Sequence, residues 1–208
     1  MRLPLLAIFL ALPACTVSRE VVAPPTVERP ADNWRALATE GDLDRLQHWR
    51  NAWVTALDKA RAAGHGDEIA GEGALLDPDA AMAGAALAPG VYRCRTIKLG
   101  GREATNGDYV AYPANRCRVG LNRGRVHFAR LDGPQRPIGA LFPDNARRQV
   151  FLGTLQLGDE RLALRYSRDE ERDMAGVVER VAENRWRLVL PYPHFESLLD
   201  VIELVPER

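Results

Sequence analysis

From Pro89 to the C-terminus, short β-rich runs alternate with turn signals, and no helix-length period interrupts them. The runs fall at 90–99, 116–122, 124–132, 137–142, 148–157, 161–167, 174–181, 185–191 and 199–205. Gly124, Gly133, Gly158 and the pair Glu183-Asn184 supply turn chemistry between several of them. Strand alternation is clear at two places. Leu162, Leu164 and Tyr166 share one face, and Trp186, Leu188 and Leu190 oppose Arg185 and Arg187. Without crossover helices a parallel sheet is excluded, and sequential strands form an antiparallel meander. Closing that meander into a barrel removes its exposed edges. The expected fold is therefore α+β: an N-terminal helical segment, then a small closed barrel of eight or nine strands. An open sandwich is the alternative. A small barrel can be filled by side chains or hold one small ligand, and the sequence leaves both interiors open.

The helical segment is expected over 32–88 and the β domain over 89–208. Asp32 is placed to cap a short helix carrying Trp34 and Leu37. A longer helix is expected over 42–63, capped by Asp42. Leu43, Leu46, Trp53, Leu57 and Ala60 lie along one face, with Trp49 alongside and Gly64 as terminator. A further helical stretch over Glu68–Leu76 is weakened by Gly71 and Gly73. Trp49 and Trp53 lie one turn apart among apolar residues, so they are expected to pack against the body rather than to stack on a sugar.

The N-terminus carries an address. Arg2 precedes an apolar run from Leu3 to Leu12, far shorter than the ~20 residues of a bilayer-spanning helix. Residues 1–14 read as a signal peptide. Leu12-Pro13-Ala14-Cys15 resembles a bacterial lipoprotein signal, which implies a lipidated Cys15 as the new first residue. Acyl chains there would anchor the protein to a membrane. Thr16 in place of Asp implies, by the same resemblance, onward transport to the outer membrane, with the folded part facing the periplasm. Residues 15–31 then comprise the lipidated Cys15 and a proline-rich tether, whose residues 16–31 span at most ~50 Å.

Export leaves Cys94 and Cys117 as an expected disulfide. The chain-entropy model gives about 3–4 kcal/mol for a loop of this size. Each cysteine is flanked by arginines: Arg93 and Arg95, Arg116 and Arg118. If both cysteines point inward, the four guanidinium groups point outward on neighbouring strands, as an anion-binding cluster or as a solvated face paired with carboxylates.

The remaining residues exclude more than they assign. Lysine plus arginine number 28 and so do aspartate plus glutamate, which gives no support to nucleic-acid binding. All the basic residues except Lys59 and Lys98 are arginine. There is no phosphate-binding glycine loop, nucleophile elbow, HExxH or CxxC, and His48, His65, His127 and His194 have no metal-ligand spacing. No cofactor, metal or catalytic residue is implied. The acidic run Asp169–Asp173 reads as a solvated turn. The loop Pro191–Ser197 gathers Tyr192, His194 and Phe195 between prolines, either as a contact surface or as a plug for one barrel end.

The runs LAPGVYRCRTIKLG, LDGPQRPIGALFPD, VFLGTLQLGDE and RWRLVLPYPHFESLLDVIELVP resemble a bacterial envelope family known as domain of unknown function 4893, over about residues 35–206. That resemblance brings no activity with it. A slighter likeness, resting on Gly90-Val91-Tyr92 and the disulfide, is to small periplasmic inhibitors of secreted metalloproteases. The expectation is a non-catalytic envelope lipoprotein that binds an envelope component, a protein or a small ligand. The alternatives are an inhibitor of a protease or lytic enzyme, and a hydrolase built from scattered carboxylates.

Overall fold

The computed structural model describes residues 33–207. The signal, Cys15, the tether and the Asp32 cap lie outside the described residues. Nine antiparallel strands follow the helical segment: β1 (Gly90–Gly101), β2 (Tyr109–Ala111), β3 (Asn115–Asn122), β4 (Arg125–Arg130), β5 (Gln135–Asn145), β6 (Arg148–Leu157), β7 (Asp173–Ala182), β8 (Arg185–Pro191) and β9 (Ser197–Pro206). Neighbours pair in the order β2-β1-β3-β4-β5-β6-β7-β8-β9. β9 then pairs back onto β1, from Tyr92↔Pro206 to Gly101↔Ser197. Eight strands thus close a barrel. β2 is extra and lies on the second half of β1, where β3 no longer reaches.

Period-2 alternation separates two cores. Inside the barrel lie Tyr92, Cys94, Cys117, Phe128, Phe151, Leu188, Ile202 and Leu204. Outside, Ile97, Leu99, Val177, Val189 and Val201 meet the helical segment. Gly139 and Gly153 face each other across β5 and β6, and a Cβ on Gly153 would fall 2.5 Å from the Phe151 ring. Bare backbone at that point makes room for the interior aromatics. The disulfide Cys94–Cys117 lies within this interior, with both cysteines buried.

The helical segment comprises a 3₁₀ turn (Trp34–Ala36), α1 (Glu40–Gln47), α2 (Trp49–Ala62), α3 (Gly66–Glu72) and a second 3₁₀ turn (Gly73–Leu75). Asn33 caps the first turn by accepting from Arg35 N. The expected single helix over 42–63 is divided at His48. α1 lies on β7 while α2 lies on β1, β8 and β9, and one straight helix cannot follow both directions. The cap is Thr39, whose Oγ1 accepts from Asp42 N at 3.2 Å, with Asp42 inside the first turn. Gly64, at φ 96°, ends α2 as expected. Trp53 is fully buried and Trp49 packs edge-on against it at 5.9 Å.

The run 161–167 is not a strand. β6 and β7 already pair directly with each other, which leaves no edge for it. Leu162 is 84% exposed, and only Tyr166 turns inward, its hydroxyl 2.5 Å from Asp42 Oδ2. The acidic turn is also less solvated than its composition suggests. Asp173 is buried, its Oδ1 accepting from Ser167 N, while Arg45 Nη1 donates to the Asp173 carbonyl.

One buried ion pair docks the two layers. Glu179 and Arg187 stand opposite each other on β7 and β8, facing the helices, and both are fully buried. Arg187 Nε and Nη2 donate to Glu179 Oε2 at 3.0 and 2.7 Å. Its Nη1 donates to the carbonyls of Ala74, Leu75 and Asp77. The guanidinium also lies 4.3 Å from the Trp53 ring centroid. Arg148 Nε, at 2.7 Å, holds the other Glu179 oxygen. Burial draws the Arg187 pKa below its ordinary value and the Glu179 charge opposes that. Breaking such a pair strands buried polar groups, at a cost of about 3–5 kcal/mol. Arg187→Met is expected to lose about that much in urea unfolding, and Arg187→Met/Glu179→Leu to lose less. Equal losses would contradict this account of the pair.

Candidate functional site

The two ends of the barrel are built differently. At one end, tight turns at Arg123-Gly124, Ala146-Arg147 and Glu183-Asn184 join β3–β4, β5–β6 and β7–β8. At the other end lie the longer connections: 102–108, 131–134, 158–172 and 192–196. The second end opens into a cavity of about 120 Å³. Leu155, Met174 and Ile202 form its apolar floor, and Tyr112, Pro193 and Phe195 stand among its lining residues.

The inward register of β1 explains the polar lining. Tyr92 and Cys94 point into the packed end, and the same period brings Thr96 and Lys98 into the open end. Asp200 and Ile202 follow the same rule on β9, and Phe128 and Arg130 on β4. Lys98 Nζ lies 3.1 Å from Asp200 Oδ2 and 3.1 Å from Glu196 Oε2. Asp200 Oδ1 accepts from Ser197 Oγ at 2.5 Å. Burial raises the Asp200 pKa, and Lys98 only partly opposes it. Burial alone would lower the Lys98 pKa, but Asp200 and Glu196 outweigh that and raise it.

Arg130 is held differently. Its Nη1 donates to Thr96 Oγ1 at 3.0 Å, across the gap where β1 has parted from β3. Its Nε is buried without an acceptor. Burial lowers the guanidinium pKa, and Asp200 and Asp132 act on it only from a distance. The rim is anchored from the β1–β2 connection. Arg102 donates through Nε to the Ser197 carbonyl and through Nη2 to the Pro193 carbonyl, and Asn106 donates to the Glu196 carbonyl. This fixes Glu196 at φ 68°, a left-handed conformation, with its carboxylate over Lys98. Arg172 is engaged by Glu160 and, at 3.4 Å, by Asp169.

The structure divides the residues singled out from the sequence. His194 and Phe195 line the cavity at its rim. Slight burial, aided by Arg45, lowers the His194 pKa. Tyr192, at φ 46°, instead packs against the outer core. Arg93 and Arg116 stand directly opposite each other on the outer wall, and Arg118 lies two residues along β3; all three are exposed. Arg116 reaches Asp132 only at 3.7 Å. Arg95 leaves that group, donating to both oxygens of Glu72 and to Glu203. The cavity is separate from this arginine face. Among the described residues no group of three or more His, Cys, Asp or Glu side chains is placed to hold a metal ion.

Lys98, Arg130, Thr96 and Asp200 escaped the sequence reading. The signal for two of them was present. Lys98 shares the parity of Cys94, and Asp200 interrupts an apolar run between Leu199 and Val201. A charge on the buried face of a strand marks a paired group or a site.

A family model described as domain of unknown function DUF4893 matches residues 34–204. The chain belongs to this family. The match spans the helical segment and the barrel through β9, so both layers and the cavity belong to the DUF4893 unit. No curated protein and no solved structure matches the chain.

Asp200 titrates in the fold above its ordinary value, so its protonation favours folding. Its contribution rises as pH falls from the raised value towards the ordinary one. Lys98→Met is therefore expected to cost about 3–5 kcal/mol at neutral pH, and progressively less as acid neutralises Asp200. A loss that stays constant in chemical denaturation as pH is lowered from neutral towards the ordinary carboxylate range would contradict the pairing.

Proposed function

We propose that this protein is a non-catalytic binding module of the bacterial envelope, whose barrel mouth takes one small, partly apolar molecule. The observation that carries this reading is the cavity itself. The barrel is packed at the disulfide end, and among the described residues its interior opens towards the long loops, over an apolar floor and beside buried charges. Small-molecule sites have this composition: apolar walls with a few placed polar groups. At about 120 Å³ the space is comparable with the ~150 Å³ apolar cavity that accepts benzene. The Pro193–Glu196 loop, which a protein-contact reading would use, lines this cavity and is pinned there by Arg102.

The location follows from residues that lie apart from the site. The lipoprotein-type signal gives Cys15 as the lipidated residue, and the proline-rich tether stands the barrel off the membrane, facing the periplasm from the outer membrane. The Cys94–Cys117 bridge suits that oxidising compartment.

Methyl-resolved NMR tests the reading. Small compounds of about benzene to naphthalene size, titrated into the oxidised protein, are expected to shift Leu155, Met174 and Ile202 together with the Thr96 amide. Shifts confined to the Arg93, Arg116 and Arg118 face, or no shift at the barrel mouth, would overturn it.

A further inference from the structure

The charges at the barrel mouth do not balance one by one. Three cationic side chains line the cavity: Lys98, Arg130 and Arg172. Lys98 is bracketed by Asp200 and Glu196, and Arg172 by Glu160 and Asp169. Arg130 has no carboxylate within ion-pairing distance among the described residues. Among the described residues its hydrogen bond goes to the neutral hydroxyl of Thr96, and its Nε has no acceptor. Arginine does not shed its proton in a protein, so this charge persists inside the wall. Arg130 is half-buried, with its Nε fully enclosed, and a partly desolvated cation without a counter-charge is the kind of local imbalance that a ligand's opposite charge would relieve.

We propose that the ligand is a small monocarboxylate, an apolar body of about benzoate size, with its carboxylate on Arg130 and its body over Leu155, Met174 and Ile202. This rests on the reading of the barrel mouth as a ligand site. The neighbouring charges select a single negative charge. Asp200 and Glu196 already occupy Lys98, and their carboxylates would repel a dianion such as a phosphate monoester. The size follows from the cavity, and the planar fork of the guanidinium suits a carboxylate.

Calorimetric titration of the full-length oxidised chain with benzoate, neutral benzamide and phenyl phosphate tests this. Benzoate is expected to bind about tenfold more tightly than benzamide, as a charge-assisted hydrogen bond would give, and more tightly than phenyl phosphate. Arg130→Gln should erase the preference for benzoate while its Tm stays equal to or above that of the parent. Arg130→Lys should retain part of the preference. Equal binding of benzoate and benzamide would overturn the anion assignment and leave the cavity as a ligand site. Tighter phenyl phosphate would overturn the choice of a monoanion. Binding of none of the three would overturn both readings. A lowered Tm with the benzoate preference intact would make Arg130 a structural clasp on Thr96, and would likewise overturn the assignment.

Discussion

Pairing of β9 with β1 turns a meander into a tube, and the rest of the molecule follows from that closure. Along β1 it runs from Tyr92 to Gly101, longer than the contact of β1 with β3. Closure satisfies the hydrogen-bonding edges that an open sheet would leave exposed. It also gives each strand an inner and an outer face with different neighbours. Tyr92 and Cys94 enter a packed interior, while Ile97 and Leu99 on the other parity meet the helices. Because β3 leaves β1 after Cys94, the tube is less tightly walled beyond that point. There Thr96 and Arg130 bridge the gap, and the cavity opens.

The outer layer depends on charge as well as apolar area. A fully buried Trp53 contributes on the order of 1.5–3 kcal/mol through its apolar surface, as large side chains do. Apolar contact sets no register, however. Arg187 does, because it must meet Glu179, the carbonyls of Ala74, Leu75 and Asp77 and the face of Trp53 at once. A second polar clasp, Tyr166 on Asp42 and Thr39, ties α1 to the long β6–β7 connection. That connection also supplies part of the cavity rim through Glu171 and Arg172. The helical segment and the site are thus coupled through the same loop.

The parts of the fold that follow from local periodicity were legible in the sequence. Eight of the strands lie close to the expected runs, and the disulfide pairs as expected. What escaped depends on partners distant in the chain. Tyr109–Ala111 is too short to carry a period and is a strand only because β1 offers it an edge. Residues 161–167 carry the right period with no edge to join. Arg187 alternates outward, as a solvated residue would, yet it is fully buried because the helices cover that face. At the cavity rim, His194 and Phe195 were conspicuous in the sequence through their unusual loop. Lys98 and Arg130 were not, because the meaning of an inward charge depends on which end of the barrel it occupies.

We propose that the barrel, packed at one end and open at the other, with Arg130 lacking a carboxylate partner among the described residues at the open end, holds something small. Native mass spectrometry of the full chain, extracted with detergent from bacterial envelopes and kept oxidised, tests that directly. The account predicts one retained small molecule on each chain, released as collision energy rises. A bare chain at every collision energy, or a protein-sized addition in place of a small one, would contradict it.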